Sequence, residues 1–237
     1  MQTEHARKKT SLINSSRTKF DNPRGKVVME TKAKKSNKSS AKLAKNELQK
    51  AERLFFGFGA KKNYKKALQY FLEAAKAGDS NCQSHVGYAY HLGLGVEKDY
   101  KAALFWYRKA AKQNHEDALF NLATMYAKGE GIKVNLKKSI SLLKKSAELG
   151  NSWAQFNLGA IYLEGKVTRR NLKEGIRWIR KAAYNGEPLA QHNLGIAYRD
   201  GEGVNKNLCY AKIWLSKAAK QGYEKAKRVL KTMEISS

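Results

Sequence analysis

Ala118-Leu119-Phe120-Asn121-Leu122-Ala123-Thr124-Met125-Tyr126-Ala127-Lys128-Gly129-Glu130-Gly131 decides the fold, because the chain restates it at an interval of 36 residues, once before and twice after. On that clock Gly87, Ala123, Gly159 and Gly195 align, as do Tyr90, Tyr126, Tyr162 and Tyr198, then Gly93, Gly129, Gly165 and Gly201. The downstream half keeps the same time. Trp106, Leu142, Trp178 and Trp214 share one slot, and Gly78, Asn114, Gly150, Gly186 and Gly222 another. A fixed period of about 20 to 50 residues predicts a solenoid, in which each unit buries its apolar face against its neighbours.

Each unit predicts two helices. Helix A carries an apolar stripe at helical spacing, Cys82, Val86, Gly87 and Tyr90 in the second unit. The Gly or Ala at 87, 123, 159 and 195 costs helix propensity, so its recurrence predicts close backbone approach between packed helices. A Gly-x-Gly turn then stops the helix, except that the third copy has Val167 where the others have Gly59, Gly95, Gly131 and Gly203. Helix B is announced by Asn63, Asp99, Asn135, Asn171 and Asn207, whose short side chains can accept from free backbone amides. Pro188 stands where the last helix A should begin, a position at which its missing amide is harmless.

The first repeat is divergent, with Ala51, Leu54 and Tyr70 in the Gly87, Tyr90 and Trp106 slots. After Gly222 the chain matches helix A once more through Ala226 and Leu230, but Lys231 replaces the small residue, which predicts a polar capping helix. The expected organisation is a disordered basic arm over residues 1–43 and an all-α solenoid of antiparallel helix pairs over 44–237. Its repeats fall at about 46–80, 81–116, 117–152, 153–188 and 189–224, with a capping helix over 225–235.

The formal charge of +27 favours acidic partners, and 13 basic against 3 acidic side chains in residues 1–45 put a large part of it in the arm. The Lys8-Lys9 and Lys32-Ala33-Lys34-Lys35 clusters suit phosphates, a targeting address or nothing beyond solvation. No apolar run is long enough to cross a bilayer and the N-terminus lacks a signal-peptide-like segment, so the expected location is cytoplasmic, with delivery into a host cell left open. Two distant cysteines, Cys82 and Cys209, fit a reducing compartment and no disulfide framework.

Ala-x-x-x-Leu-Gly-x-x-Tyr-x-x-Gly-x-Gly-Val, followed by a cap residue and Lys-Ala-x-x-Trp-x-x-Lys-Ala-Ala-x-x-Gly, resembles the Sel1-like repeat, a relative of the tetratricopeptide repeat. Residues 190–222 meet it best, and the resemblance runs over about residues 46–234. It implies a right-handed superhelix of helix pairs serving as a scaffold or adaptor for other proteins, often in signalling or in contacts between bacteria and host cells. It implies no single reaction. Some cysteine-rich members of the wider family have been described as hydrolases, but their paired cysteines are absent here.

A helical wheel sets the slots of 81, 84, 88 and 91 opposite the core stripe, on the side expected to line a concave groove. There the chain presents Tyr88 and His91; Phe120; Trp153, Phe156 and Leu163; then His192, Ile196 and Arg199. An apolar patch on such a face marks a partner site, here for an amphipathic helix or extended peptide, unless curvature buries it against adjacent helices. Asn121, Asn157 and Asn193 form an amide ladder along one flank, suited to a peptide backbone or to bonds within the array. Lys109, Lys145, Lys181 and Lys217 form a second ladder on helix B, either as stems covering apolar surface or as contacts for an acidic partner. The Trp106 slot reads as inter-helix core, and Cys82 as a small packed residue.

Enzymatic chemistry finds no support. The five histidines show no metal-ligand spacing, and the Gly-x-Gly turns follow helices and lack a phosphate-loop Lys-Ser or Lys-Thr. No cofactor, metal or catalytic residue is expected. The leading reading is a non-enzymatic scaffold that binds a protein or peptide. The alternative is a basic binder of nucleic acid or another acidic surface, acting through the arm and the lysine ladders.

Overall fold

The computed structural model describes residues 38–235. Among these, every regular element is a helix: α1 Lys38–Phe56, α2 Tyr64–Lys76, α3 Ser80–Leu92, α4 Tyr100–Lys112, α5 Glu116–Lys128, α6 Leu136–Glu148, α7 Ser152–Glu164, α8 Leu172–Tyr184, α9 Pro188–Asp200, α10 Leu208–Lys220 and α11 Glu224–Ile235. The arm expected over residues 1–43 lies outside the described residues up to 37, and residues 38–43 belong to α1. Two compact units divide at Gln113 and Asn114.

Both units are built from pairs that pack in sequence order, α1 with α2 and α3 with α4 in the first, then α5 with α6, α7 with α8 and α9 with α10 in the second. The turn inside each pair is closed the same way. The cap residue's own amide donates to the residue in the tyrosine slot, Asp99 to the Tyr90 carbonyl at 2.9 Å and Asn207 to that of Tyr198 at 2.8 Å. Its side chain then accepts from the first turn of helix B, as Asn135 does from Lys138 N at 2.8 Å and Asn171 from Glu174 N at 3.0 Å. All five expected caps are in place.

Small residues let the two helices of a pair touch. A Cβ added at Gly159 would lie 2.8 Å from Ile179 and 2.9 Å from the Gly175 carbonyl oxygen, so glycine is required on both sides of the α7–α8 crossing. At the α5–α6 crossing Ala123 faces Ser139, whose hydroxyl donates to the Ala123 carbonyl at 2.7 Å.

In the second unit three clusters follow one another. Leu143, Ala154, Leu158, Ile161 and Trp178 form the first, and Phe156, Ile176, Ile179, Leu194 and Trp214 the next. Leu215, Ala218 and Ala226 seat the capping helix α11 against α10. In the first unit the aromatic rings of Phe55, Tyr64, Phe71, His85 and Tyr88 meet edge-on or tilted, with Phe71 and His85 centroids 4.9 Å apart. The Trp106-slot tryptophans are buried as expected, at 8%, 4% and 5% exposure for Trp106, Trp178 and Trp214.

A second set of bonds ties each helix A to the preceding pair and to the end of its own helix B. Gln155 Nε2 on α7 donates to the Ala147 carbonyl at 3.1 Å, and its Oε1 accepts from Asn185 Nδ2 at 2.9 Å. One period on, Gln191 bonds Ala183 at 3.2 Å and accepts from Gln221 at 2.8 Å. In the first unit Gln83 bonds Ala75 at 3.1 Å and accepts from Gln113 at 2.9 Å. The remaining copy replaces both members together, with Leu119 in the glutamine slot and Leu149 in the slot of its donor. There Ser146 Oγ donates to the Glu116 carbonyl and Asn151 Nδ2 to Asp117 Oδ1, each at 2.7 Å.

Candidate functional site

The A helices position the residues expected to form a groove, and the structure sorts them into three groups. Tyr88 and Phe156 are core residues, Tyr88 among the rings of the first unit and Phe156 in the cluster with Ile176 and Leu194. Tyr88 packs on Phe55 of the preceding pair and Phe156 on Leu194 of the following one, where the wheel of an isolated helix had pointed both at solvent. His91 and Leu163 share a slot that turns to the paired helix B. The His91 ring lies 5.7 Å from Tyr100 and 6.1 Å from Tyr107, and Leu163 occupies the space above Gly175.

The third group keeps partial exposure. Phe120 and Ile196 lean on the clusters beside them with one side still accessible, and Trp153 on α7 is also half-buried. His192 is half-buried with its ring 5.1 Å from Tyr223, and burial, with Lys225 and Arg199 nearby, lowers its pKa. It is therefore neutral at pH 7. Arg199 is engaged by its neighbour: Nε and Nη2 donate to the two Asp200 oxygens at 2.7 and 2.8 Å.

The amide ladder divides likewise. Asn157 Nδ2 donates to the Trp153 carbonyl at 2.7 Å, a bond within α7, whereas Asn193 is half-buried on α9. Asn121 is buried at 5% exposure, and its Nδ2 finds no hydrogen-bond partner. His192 Nδ1 is likewise buried without one. Unpaired buried groups of this kind cost about 1–3 kcal/mol each, and native structures carry few of them.

The lysine ladder on helix B does more than cover apolar surface. Lys181 Nζ sits 4.3 Å above the Trp178 ring, Lys217 4.3 Å above Trp214, and Lys109 5.2 Å above Trp106. These cation–π contacts were legible in the Trp-x-x-Lys spacing, which brings the two side chains together on a helix. Also missed were the side-chain caps of the A helices: Asp79 accepts from Cys82 N and Asn151 from Ala154 N, each at 2.7 Å. Cys82 is buried, and desolvation, reinforced by Asp79, raises its thiol pKa; Cys209 is exposed.

Tandem antiparallel helix pairs on a fixed period, with small residues at each crossing and a polar terminal helix, define an α-solenoid repeat protein. The chain belongs to the Sel1 repeat family, whose pattern matches residues 41–79, 80–115, 116–151, 154–187 and 188–223. It is similar to the crystal structure of a Sel1 repeat protein from Oxalobacter formigenes, at 32% identity and TM-score 0.77, over 81% of this chain and 57% of that one. It is also similar to a protective antigen of uropathogenic Escherichia coli with an SLR fold, at 29% identity and TM-score 0.68, over 79% of this chain and 40% of that one. The chain thus spans little more than half of the first and less than half of the second. Immunity protein Pa5087 of Pseudomonas aeruginosa shares the fold, at 21% identity and TM-score 0.56, over 78% and 68% of the two chains. No curated protein matches the chain. Among the described residues no helix is long and apolar enough to cross a membrane.

Proposed function

We propose that the chain is a non-enzymatic scaffold that holds a peptide segment of another protein along the A helices of its second unit. The repeat fold is commonly used for protein–protein interaction, which supplies the class. The observation that supports the location is the pair of unpaired buried atoms. Asn121 Nδ2 is a donor and the neutral His192 ring offers an acceptor or a donor, according to its tautomer. They belong to α5 and α9, on either side of half-buried Trp153 on α7. A peptide backbone carries both complementary groups at every residue, and Trp153 supplies the apolar anchor.

The test joins stability to binding. Asn121→Leu removes an unpaired donor and should stabilise the fold by about 1 kcal/mol, while lowering recovery of the partner bound by the wild type. Trp153→Ala should weaken the same partner by about 2 kcal/mol. Unchanged binding in both variants sinks the reading. Nucleic-acid binding, the alternative suggested by the charge of +27, is separated by salt, since its affinity falls by about 0.9 log units per phosphate contact for each decade of salt.

A further inference from the structure

The fourth repeat leaves the 36-residue clock at one turn, and arginine gathers there. Where Gly95, Gly131 and Gly203 adopt φ of 73°, 68° and 72°, the fourth turn reads Val167-Thr168-Arg169-Arg170 with no left-handed residue at 167. In the helix that follows, Arg177 stands in the slot of Gln69, Phe105, Ser141 and Ile213. Two adjoining clefts open at this place and share Asn171 in their walls. One, of about 670 Å³, lies between Tyr162 and residues 168–172; the other, of about 510 Å³, runs along α8 past Arg177 and Arg180 to Gly203.

The cations here are set for carboxylates. Arg170 Nη2 donates to Glu202 Oε1 at 2.8 Å, and Arg177 Nη1 to both Glu174 oxygens at 3.3 Å. Arg180 is half-buried and reaches the Tyr198 hydroxyl at 3.4 Å. Arg169 and Lys173 are exposed and make no ion pair among the described residues. The existing pairs are exposed, so they are weak and exchange readily for an incoming carboxylate.

We propose that these clefts bind a short acidic segment of a partner protein, whose Asp or Glu carboxylates are taken by Arg169, Arg170, Arg177 and Arg180. The planar guanidinium fork can grip a carboxylate through two parallel bonds, and Arg170 and Arg177 already hold carboxylates of the chain itself, each through one nitrogen, which leaves other N–H groups of the fork for an incoming group. Each cleft has the volume of a few side chains, whereas a phosphate backbone is held along an extended basic track. The site uses a turn and a helix B, shares no residue with the A-helix face around Trp153, and stands or falls independently of it.

Fluorescence anisotropy of a fluorescein-labelled hexaglutamate peptide on the full chain tests this. The triple substitution R169Q/R177Q/R180Q should weaken binding by about tenfold, and the charge-matched control K137Q/K144Q/K145Q on exposed positions of α6 by less than about twofold. Replacing the same three arginines by lysine keeps the charge, loses the fork and should give an intermediate loss. Circular dichroism checks the fold; should the triple variant fail to fold, Arg169→Gln against Lys137→Gln gives the same contrast from two exposed side chains. Equal weakening by the cleft and control substitutions overturns the proposal. So does duplex DNA that binds the wild type more tightly than hexaglutamate and loses that binding with the same three arginines.

Discussion

Gln155→Leu tests the glutamine bonds that tie a helix A to the preceding pair and to the end of its own helix B. Gln155 is 4% exposed, so the substitution removes two bonds from a dry setting, to the Ala147 carbonyl and from Asn185 Nδ2. Neither partner is stranded. The Ala147 carbonyl still accepts from Gly150 N at 3.2 Å, and exposed Asn185 still reaches the Gly150 carbonyl at 3.4 Å. The loss is therefore two net hydrogen bonds at about 1 kcal/mol each, partly offset by the apolar side chain, or about 1–2 kcal/mol. That corresponds to roughly 2–4 °C in melting temperature per kcal/mol for a chain of this size. Asn185→Leu alone should cost less than about 1 kcal/mol. The double variant reproduces the Leu119 and Leu149 combination and should cost less than the sum, with a coupling of at least about 0.5 kcal/mol. Urea unfolding followed by circular dichroism reads all four corners of the cycle. A coupling of zero would refute the view that these amides act as a pair.

Gly159→Val forces a side chain into the α7–α8 crossing and should destabilise by about 3 kcal/mol, read as a lower urea midpoint; a midpoint unchanged from wild type would mean the crossing can open at no cost. Asn171→Ala removes the cap of α8 and should cost about 1 kcal/mol, with Asn171→Asp recovering most of it in the same melts. Asp117 gives a pH effect. Burial raises its pKa, and Glu116 adds to this, against the opposing pull of His115 and the Asn151 hydrogen bond. A carboxyl whose folded pKa is raised holds its proton more tightly when folded, so its contribution is most favourable below its ordinary pKa of 3.8 and declines as pH rises through the folded value. Asp117→Asn should therefore stabilise the chain at pH 7 and lose that advantage near pH 3.5, as melting curves at the two pH values would show.

Most of the fold was legible because its determinants are local and recur. The cap asparagines, the small residues at the crossings, Pro188 at the start of α9 and the polar last helix all act within a few residues or one crossing, and the structure places them as expected. The candidate face was legible only in part. A wheel drawn on one helix separates that helix's core side from the rest, but it does not see the neighbouring pair. Phe156 and Tyr88 are claimed by that neighbour, and Leu163 by the absence of a side chain at Gly175. The glutamine ladder escaped notice for a related reason. Its members lie 30 residues apart, off the period, so aligning the repeats places them in two unrelated columns.

That offset limits how such an array can be edited. Gln155 with Asn185, and Gln191 with Gln221, each fall inside one repeat, so a duplication or deletion of one whole repeat there carries both amides together and keeps the pair. Cut between helix A and helix B so that Leu149 follows a glutamine-bearing helix, the chain would leave that glutamine with no amide to accept from. Repeats of this chain are thus interchangeable whole rather than helix by helix, and a library of shuffled segments should sort into stable and unstable members along that line.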